Sequence, residues 1–307
     1  MHAIEAQALT KTYPGGVEAV KGVDLEVEAG EVFGLLGPNG AGKSTTVGML
    51  TTTIIPTGGR ATVGGYDVAR QPLLARAVSS VVFQEAVVDR SLTGRANIEL
   101  HARLWGAGSR GRIQELTGLL GLAELIDRPV ASYSGGERRR LEIARALVSE
   151  PAVLFLDEPT VGLDPRIRHE LLDVIAGLRT RQELTILVTT HYLDEAERLC
   201  DRVAIVHEGS IVALDSPQAL LARLGAEILE FRVAGDPHAT LAALRLKRLA
   251  SSDAFAVGSR VTVPLHNHIA TDVLSAVDQH PTEISSRTPT LDDVYLQLTG
   301  TELADAA

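Results

Sequence analysis

Cysteine is nearly absent from this chain of 307 residues, which contains only Cys200. One cysteine cannot form an internal disulfide, and the nine histidines show no Cys/His spacing of the kind that binds zinc. A disulfide scaffold and a zinc-dependent fold are therefore excluded, and the composition is typical of a cytosolic protein.

Long hydrophobic runs and an excess of positive charge are also missing. No stretch approaches the roughly 20 apolar residues of a membrane-spanning helix, and the first residues lack the basic start and apolar core of a signal peptide. The formal net charge is -10 at pH 7, whereas broad affinity for nucleic acid phosphates or anionic lipids needs surplus lysine and arginine. We expect a soluble protein without general nucleic acid affinity, although a local basic patch is compatible with this charge.

Hydrophobic residues make up 45% of the chain, and their spacing predicts an α/β protein. Near the start, apolar and polar side chains alternate as in a half-exposed antiparallel sheet. Short apolar runs separated by helical patterns indicate buried parallel strands; the runs are residues 32–36, 153–156, 185–188 and 203–206. Three- and four-residue spacings predict a mostly helical segment over about residues 85–149.

The pattern changes after Pro217. The order strand, helix, two strands, helix, strand is the ferredoxin-like signature, and Gly258-Ser259 suits a two-residue hairpin between the middle strands. We therefore predict two domains, a large one over residues 1–217 and a small α+β domain over residues 218–307. The sequence leaves the role of the second domain open between regulation and dimer contacts.

Residues 37–44 match the pattern G-x-x-x-x-G-K-[ST] and lie between an apolar strand and a helix-compatible stretch. Glycines there let successive backbone N–H groups point at phosphates, Lys43 would reach the β- and γ-phosphates, and Ser44 would bind Mg²⁺. A glycine-rich turn that binds no ligand would also match this residue pattern. The strand before it and the helix after it favour a nucleotide phosphate site.

Polar residues follow several predicted strands, at the edge where α/β folds place ligands. Asp157 and Glu158 close one apolar strand, so one carboxylate can hold hydrated Mg²⁺ while the next orients or deprotonates the attacking water. Acidic residues at strand ends are common, so this interpretation depends on the neighbouring phosphate loop. Gln84 and His191 follow other strands, and each of them alone is compatible with a simple solvated side chain.

Ser134, two glycines and Glu137 precede a helix that we predict over residues 138–148. Serine followed three residues later by glutamate is a capping box. Two glycines at a helix start also permit close approach of an anion, aided by the helix dipole. The spacing alone does not decide between a helix cap and a phosphate contact.

These motifs in this order resemble the ATP-binding cassette (ABC) family over about residues 4–215. The resemblance rests on residues 37–44, Gln84, residues 133–137, residues 153–158, residues 162–164 and His191. It implies a P-loop ATPase cassette with an antiparallel β subdomain, a RecA-like core built on a parallel sheet, and a helical subdomain. It also implies a head-to-tail homodimer, in which ATP lies between the phosphate loop of one copy and residues 134–136 of the other.

The resemblance implies roles for individual residues. Tyr13 would stack on adenine, with an ordinary edge-strand aromatic as the less favoured alternative. Gln84 would sense Mg²⁺ and a transmembrane partner, and Asp164 would signal across the dimer. The implied catalytic residues are Lys43, Gln84, Glu158, as the catalytic carboxylate, and His191, as the γ-phosphate contact. The implied Mg²⁺ ligands are Ser44, Gln84 and Asp157. The implied ATP-binding residues are Tyr13, Gly37, Pro38, Asn39, Gly40, Ala41, Gly42, Lys43, Ser44, Thr45, Ser134, Gly135, Gly136 and Asp164.

Two positions depart from the family pattern, because Tyr133 stands where leucine is usual and Glu137 where glutamine is usual. Glu137 puts a negative charge near the expected γ-phosphate. Three arginines follow at residues 138–140, and they either compensate this charge or form a solvated helix face. We also expect Ser134 and Glu137 to cap each other until ATP binds.

Residues 290–300 (TLDDVYLQLTG) resemble the end of drug-resistance export ATPases of the daunorubicin/doxorubicin type, as do Tyr133 and residues 138–145. The same tail pattern fits an amphipathic helix with one face buried on its own domain, formed by Leu291, Val294, Tyr295 and Leu298. Both interpretations can hold together.

Together the resemblances imply an ATP-hydrolysing subunit that drives export of a hydrophobic drug or antibiotic-like compound. The implied cofactors are ATP and Mg²⁺, and the implied partners are a second copy of the chain and a separate integral membrane permease, with no nucleic acid. The chain would be cytoplasmic, peripheral to the inner face of the cell membrane through that permease.

Other functions are compatible with parts of the pattern. A soluble ABC ATPase of translation or DNA repair is the main alternative, although the single phosphate loop and the acidic balance count against it. The presence of Lys43, Asp157, Glu158 and His191 counts against a nucleotide-binding regulator without turnover. Only the tail favours export over import.

Overall fold

The computed structural model describes residues 2–85, 87–107, 110–179, 184–266, 268–278 and 280–301. Its strands are β1 (His2–Tyr13), β2 (Val17–Glu28), β3 (Val32–Leu36), β4 (Gly58–Val63), β5 (Tyr66–Asp67), β6 (Ser79–Val82), β7 (Val153–Asp157), β8 (Thr185–Thr190), β9 (Arg202–His207), β10 (Ser210–Asp215), β11 (Ile228–Arg232), β12 (Phe255–Val257), β13 (Arg260–Pro264) and β14 (Thr282–Arg287). Its helices are α1 (Lys43–Leu50), α2 (Pro72–Ala77), α3 (Gly94–Leu104), α4 (Arg110–Leu119), α5 (Gly135–Leu147), α6 (Pro165–Arg179), α7 (Leu193–Leu199), α8 (Pro217–Ala222), α9 (Pro237–Leu246), α10 (Ala270–Ser275) and α11 (Leu291–Thr299). None of these described helices is long and apolar enough to cross a membrane.

The central sheet has six strands in the order β10-β9-β3-β8-β7-β6, all parallel except β10, which is antiparallel to β9. Every residue of β3, β7 and β8 is buried, because these apolar strands are covered on both faces. Phe33 and Phe155 face one core cluster, whereas Leu36 and Leu154 face the other. The carboxyl ends of β3, β7 and β8 meet at one edge, so the loops that follow them lie together.

Different secondary structure elements pack on the two faces of the central sheet. An antiparallel sheet in the order β2-β1-β4-β5 covers one face, and its alternating pattern buries Ile4, Leu25 and Val63 against Phe33. Helices α3 to α7 contribute to the core cluster on the other face. The predicted antiparallel sheet, parallel core and helical segment are therefore confirmed, with α3, α4 and α5 forming the helical segment.

A third sheet, with strand order β12-β13-β11-β14, is antiparallel throughout and buries one face beneath α9 and α10. This is the predicted ferredoxin-like arrangement. Gly258 begins the hairpin turn between β12 and β13 with φ of +58°, a conformation that favours glycine. The first helix of this arrangement, α9, ends at Leu246, and Arg248 two residues later adopts a left-handed φ of +58°.

The last helix, α11, is packed differently from our expectation. Leu291, Val294 and Tyr295 are buried in the core cluster of the central sheet, against α7 and α8, and not in the cluster of the third sheet. Leu298 remains 40% exposed. The prediction that all four residues are buried on their own domain is therefore wrong, because the apolar stripe of α11 faces the larger core. The predicted second domain extends to residues 302–307, which lie outside the described residues.

Candidate active site

The loop of residues 37–44 joins β3 to α1, and its shape depends on glycine. Gly40 and Gly42 have φ of +79° and +102°, a region that residues with a Cβ rarely adopt. A Cβ on Gly42 would lie 2.4 Å from Ala19 O, and a Cβ on Gly37 would lie 2.3 Å from Val206 O. The loop backbone is therefore held tightly by the segments on either side of it.

The loop lines a cavity of about 230 Å³ at this edge of the sheet. The residues that line the cavity are Ala19, Asn39, Gly40, Gly42, Lys43, Ser44, Thr45, Gln84 and Glu158. Tyr13 lies at its margin, because the Tyr13 hydroxyl is 3.5 Å from Thr45 Oγ1. The structure thus brings the phosphate loop together with Gln84 and Glu158, which are distant in the sequence.

Lys43 is buried at the loop, with its ammonium group paired on several sides. Its Nζ donates to Gly37 O at 2.8 Å and to Pro38 O at 3.0 Å, and it lies 3.2 Å from Glu158 Oε1. Because an unpaired buried charge is costly, these contacts hold the ammonium group in place. The same ammonium group is positioned to exchange the carboxylate for phosphate oxygens.

Asp157 ends β7 next to the phosphate loop. Its Oδ1 accepts hydrogen bonds from Ser44 Oγ at 3.2 Å and from Thr189 Oγ1 at 2.6 Å. Mg²⁺ prefers oxygen ligands and is usually held by one or two protein groups together with substrate phosphates. Ser44 and Asp157 fit such an ion, and Gln84 lies on the wall of the same cavity. Within the described ranges, no group of three or more His, Cys, Asp or Glu could hold a metal ion by itself.

Glu158 combines a buried carboxylate with a strained backbone. Its φ of +46° lies in the left-handed region, which costs a non-glycine residue about 1 to 3 kcal/mol. The Glu158 N–H donates to Thr189 Oγ1 at 2.9 Å, which helps to hold this conformation. Oε1 then faces Lys43, and Oε2 lies 3.4 Å from His191 Nδ1. His191 is thereby brought to the cavity through its contact with Glu158.

The segment of Ser134, Gly135 and Gly136 begins α5 and does not line this cavity. Both hydrogen bonds of the capping box are present, from Ser134 N to Glu137 Oε2 at 2.6 Å and from Glu137 N to Ser134 Oγ at 3.3 Å. The bond from the Ser134 N–H holds the pKa of Glu137 below its ordinary value. Ser134 and Gly135 are exposed, whereas a Cβ on Gly136 would lie 2.2 Å from Ile167 Cγ2. Packing against α6 therefore requires the second glycine, and only the first two residues are open to a ligand.

Asp164 also lies outside the cavity lining. It is exposed, and its Oδ1 accepts a hydrogen bond from Ile167 N at 3.1 Å. Ile167 therefore contacts Asp164 through its backbone and faces Gly136 through its side chain. The residues predicted to act across a dimer are neighbours of one another and are separate from the residues that line the cavity.

The three arginines at residues 138–140 do not share one environment. Arg139 is 7% exposed and donates to main-chain carbonyls, so the interpretation as a solvated helix face is wrong for it. Arg139 lies three residues after the buried Gly136 and four before the buried Ile143, so it shares the face of α5 that packs inward. Arg140 is half-buried, and its positive charge contributes to the lowered pKa of Glu137, after the larger effect of the Ser134 N–H.

Sequence reasoning missed two residues that organise the site. Thr189 is completely buried, and its hydroxyl joins Asp157 to the backbone of Glu158. Its signal was a pair of threonines at the end of an otherwise apolar strand. Arg139 could have been found from the helical period of α5, which turns it toward the core.

Comparison with known proteins finds relatives over nearly the whole chain. The family described as "ABC transporter" matches residues 20–161. The "Daunorubicin/doxorubicin resistance ATP-binding protein DrrA" of Streptomyces peucetius is 42% identical, over 97% of this chain and 92% of its own. The "Linearmycin resistance ATP-binding protein LnrL" of Bacillus subtilis (strain 168) is 33% identical, over 98% of this chain and 100% of its own.

A solved structure is similar to the larger part of the fold. It is a dimeric ATP-binding cassette in a post-hydrolysis state bound to ADP and Pi, with a TM-score of 0.63 and 25% sequence identity. The match covers 69% of this chain and 98% of that structure. The phosphate loop, Asp157 and Glu158 all lie within the residues that match the family.

Proposed function

This chain belongs to the ABC transporter family of ATP-hydrolysing proteins, and from that premise we propose that it drives export of a hydrophobic drug or antibiotic-like compound through a separate membrane permease. One observation supports this more than any other: Gln84 lines the nucleotide cavity, while the adjacent Phe83 lines a surface groove. The names of the resistance proteins described above suggest the substrate class. We place the chain at the cytoplasmic face of the membrane, attached through the permease and without a nucleic acid partner.

ATP binding would begin at the phosphate loop. Backbone N–H groups of residues 37–44 and the N-terminus of α1 surround the phosphates, and Lys43 exchanges Glu158 for β- and γ-phosphate oxygens. Tyr13, beside Thr45, is placed to stack on the adenine ring. Ser44 and Asp157, with Gln84 nearby, would hold Mg²⁺, which supplies positive charge that offsets the negative charge of the phosphates.

Hydrolysis requires a base for the attacking water. Once Lys43 binds phosphate, the Glu158 carboxylate is free to accept a proton from water as the water oxygen attacks the γ-phosphorus. The bond between the γ-phosphorus and the bridging oxygen breaks, and ADP is the leaving group. His191, 3.4 Å from Glu158, is placed to orient that carboxylate and to contact the γ-phosphate.

The complete site is proposed to need a second copy of the chain. Ser134, Gly135 and Asp164 are exposed and lie outside the cavity lining. In a head-to-tail homodimer, the start of α5 of one copy would face the γ-phosphate held by the other, where its dipole favours negative charge. The Ser134 hydroxyl would then leave Glu137 and donate to the phosphate.

A surface groove of about 360 Å³ is the proposed docking site for the permease. Phe83 and Trp105 line it and expose 38% and 41% of their surfaces, so a partner with an apolar face would remove both aromatic rings from water on docking. Phe83 directly precedes Gln84, so an occupant of the groove would be one residue away from the nucleotide cavity. We propose that the occupant is a short cytoplasmic helix of the permease.

The charged residues that line the groove indicate which side chains the permease helix would carry. Arg76 and Arg145 line the groove, whereas burial, together with the nearby Arg145, lowers the pKa of His101 to about 4. His101 is therefore neutral at neutral pH, and the positive charge of the groove comes from the two arginines. A complementary helix would carry an acidic residue beside its apolar ones.

Inside-out membrane vesicles test the export function. The chain is co-expressed with a candidate permease, a membrane protein that co-purifies with it from its source cells, and accumulation of fluorescent hydrophobic drugs, doxorubicin among them, is followed after ATP addition. We expect ATP-dependent accumulation with the natural chain and none with Glu158→Gln. If the two proteins form a complex that hydrolyses ATP but accumulates no drug of the panel, the proposed export function is wrong.

The docking site is tested by co-purification of the same two proteins. Trp105→Ala should reduce the amount of permease that co-purifies, while ATP turnover of the isolated chain stays unchanged. Leu246→Ala is the matched control, because Leu246 is 87% exposed on α9 and does not line the groove. Equal co-purification with both variants would contradict the assignment of the groove.

A further inference from the structure

Arg139 joins two separate segments of the chain, residues 83–84 and Pro159, through three main-chain carbonyls. Its Nη1 donates to Phe83 O at 2.6 Å, its Nη2 to Gln84 O at 3.0 Å and its Nε to Pro159 O at 2.8 Å. The residue lies in the second turn of α5, the helix that begins with the exposed Gly135. One buried guanidinium group therefore connects the end of the groove, the Gln84 backbone and the residue after Glu158.

Glu142 completes this network one helical turn later. Its Oε2 accepts a hydrogen bond from Arg139 Nη1 at 3.0 Å, and its Oε1 accepts from Val87 N at 2.8 Å. Glu142 is 3% exposed, and burial raises its pKa while the charge of Arg139 opposes that rise. The pair therefore binds the backbone on both sides of Gln84, through Phe83 and Val87.

A buried ion pair is weak evidence for stability, because desolvation offsets much of its attraction. The geometry of the Arg139–Glu142 pair instead fixes the position of the main chain that it binds. A guanidinium group is a rigid planar fork, so three hydrogen bonds to three carbonyls fix the distances among those carbonyls. The carbonyls belong to Phe83, Gln84 and Pro159, so the main chain at Gln84 is set relative to the main chain directly after Glu158.

We propose that Arg139 and Glu142 are positioning residues, which hold Gln84 at the Mg²⁺ site and tie it to the segment that carries Glu158. This rests on the role proposed above for Gln84. Neither residue touches the nucleotide cavity, so both act through the backbone of the Gln84 segment. Because the Phe83 carbonyl is bound by the same guanidinium group, an occupant of the groove would contact a residue of this network.

Arg139→Lys is the most informative substitution. It keeps the positive charge beside Glu142 but replaces the fork by a single ammonium group, which cannot bind the three carbonyls with the same geometry. Partners that orient a metal ligand typically change metal affinity by about 10-fold or more when they are altered. We expect the Mg²⁺ concentration for half-maximal ATP turnover to rise about 10-fold, with a lower kcat.

The measurement uses the full-length chain, with ATP turnover followed as a function of Mg²⁺ concentration and ATP binding measured separately in EDTA. Binding in EDTA depends on the phosphate loop and should change by less than about two-fold, since Arg139 does not line the cavity. Arg103→Lys is the matched control, because Arg103 lies on α3 with an 81% exposed side chain. That variant should behave as the natural chain in both assays.

Glu142→Gln provides a second variant if Arg139→Lys does not fold. The amide oxygen can still accept from Val87 N, but the charge-assisted bond from Arg139 is lost, so the Mg²⁺ requirement should rise in the same direction. An unchanged Mg²⁺ requirement in the folded variants would overturn the proposal. An equal loss of ATP binding in EDTA, together with a lower unfolding temperature, would also overturn it, because it would show a general structural role.

Gln84→Ala separates this inference from the proposed role of Gln84. If Gln84→Ala raises the Mg²⁺ requirement and Arg139→Lys does not, the positioning role of Arg139 is wrong and the role of Gln84 stands. If Gln84→Ala leaves the Mg²⁺ requirement unchanged, the role of Gln84 is wrong and the inference built on it falls as well. A similar rise in both variants is the expected result.

Discussion

Replacing Glu158 by glutamine removes the proposed base while keeping the shape of the site. The amide has the length of the carboxylate, and the Glu158 N–H bond to Thr189 and the φ of +46° depend on the backbone alone. An amide cannot accept the proton of the attacking water, and the loss of a general base costs about 10² to 10⁴ in rate. We therefore expect ATP turnover to fall at least about 100-fold while ATP still binds.

The same substitution should tighten ATP binding. Lys43 Nζ lies 3.2 Å from Glu158 Oε1, where the Coulomb attraction is about 5 kcal/mol for an effective dielectric constant of about 20. Desolvation of the two buried charges offsets most of that attraction. We take about 1 kcal/mol as the net attraction between Lys43 and Glu158, which ATP must overcome when its phosphate replaces the carboxylate. Its removal corresponds to about five-fold tighter ATP binding. With hydrolysis blocked, the closed homodimer should accumulate.

Three measurements on the full-length chain check this prediction: phosphate release, equilibrium ATP binding, and size-exclusion chromatography with ATP. Glu150→Gln is the matched control, because Glu150 also has a positive φ, +53°, but its side chain is 72% exposed. It should behave as the natural chain. Turnover by Glu158→Gln within about 10-fold of the natural rate would refute its assignment as the base. Weaker ATP binding would refute the competition between Glu158 and phosphate for Lys43.

Four further substitutions test the packing and the helix cap around the site. Gly136→Ala should cost about 1 to 3 kcal/mol in thermal unfolding, because its Cβ would lie 2.2 Å from Ile167 Cγ2, whereas Gly135→Ala meets only a flexible leucine at 3.2 Å and should cost less. Tyr295→Phe should lower the free energy of unfolding in urea by about 1 kcal/mol, because it removes the hydrogen bond to His207. Glu137→Gln should destabilise the chain at neutral pH, because a carboxylate with a lowered folded pKa stabilises above its unfolded pKa. The difference in the free energy of unfolding between Glu137→Gln and the natural chain should vanish as the pH falls through the lowered pKa of Glu137. Acid unfolding curves of both proteins measure this difference. If Glu137→Gln also leaves ATP affinity and turnover unchanged, the exchange of the Ser134 cap for phosphate is contradicted.

The parts of the fold that the sequence predicts are those whose signal is local. The helix expected after the phosphate loop is present as α1, residues 43–50, directly after the glycines of the loop. The buried strands β3 and β7 are short apolar runs bounded by polar residues, and they differ from the prediction by at most one residue. Such patterns report burial directly, because a strand covered on both faces is mostly apolar along its length.

The contacts that organise the site carry much weaker signals. Arg139 binds Phe83, Gln84 and Pro159 through their carbonyl oxygens, and any residue at those positions would present the same atom. Ala19 contributes its main chain to the cavity in the same way. The sequence therefore does not predict which of these segments contact one another. Only the helical period of α5, which places Arg139 four residues before the apolar Ile143, indicates that Arg139 turns inward.

The last helix shows how a family marker and a packing requirement can be the same feature. The Leu291 N–H donates to Glu197 Oε1 at 2.8 Å, and the Tyr295 hydroxyl shares a hydrogen bond with His207 Nδ1 at 2.8 Å. His207 ends β9, and two residues later the Gly209 N–H donates to Ala41 O at 3.0 Å within the phosphate loop. The apolar and aromatic residues of α11 are therefore required by the core that supports the ATP site, and not only by the sheet that precedes them in the chain. A tail far from residues 37–44 in sequence is thereby linked to the phosphate loop through the end of β9.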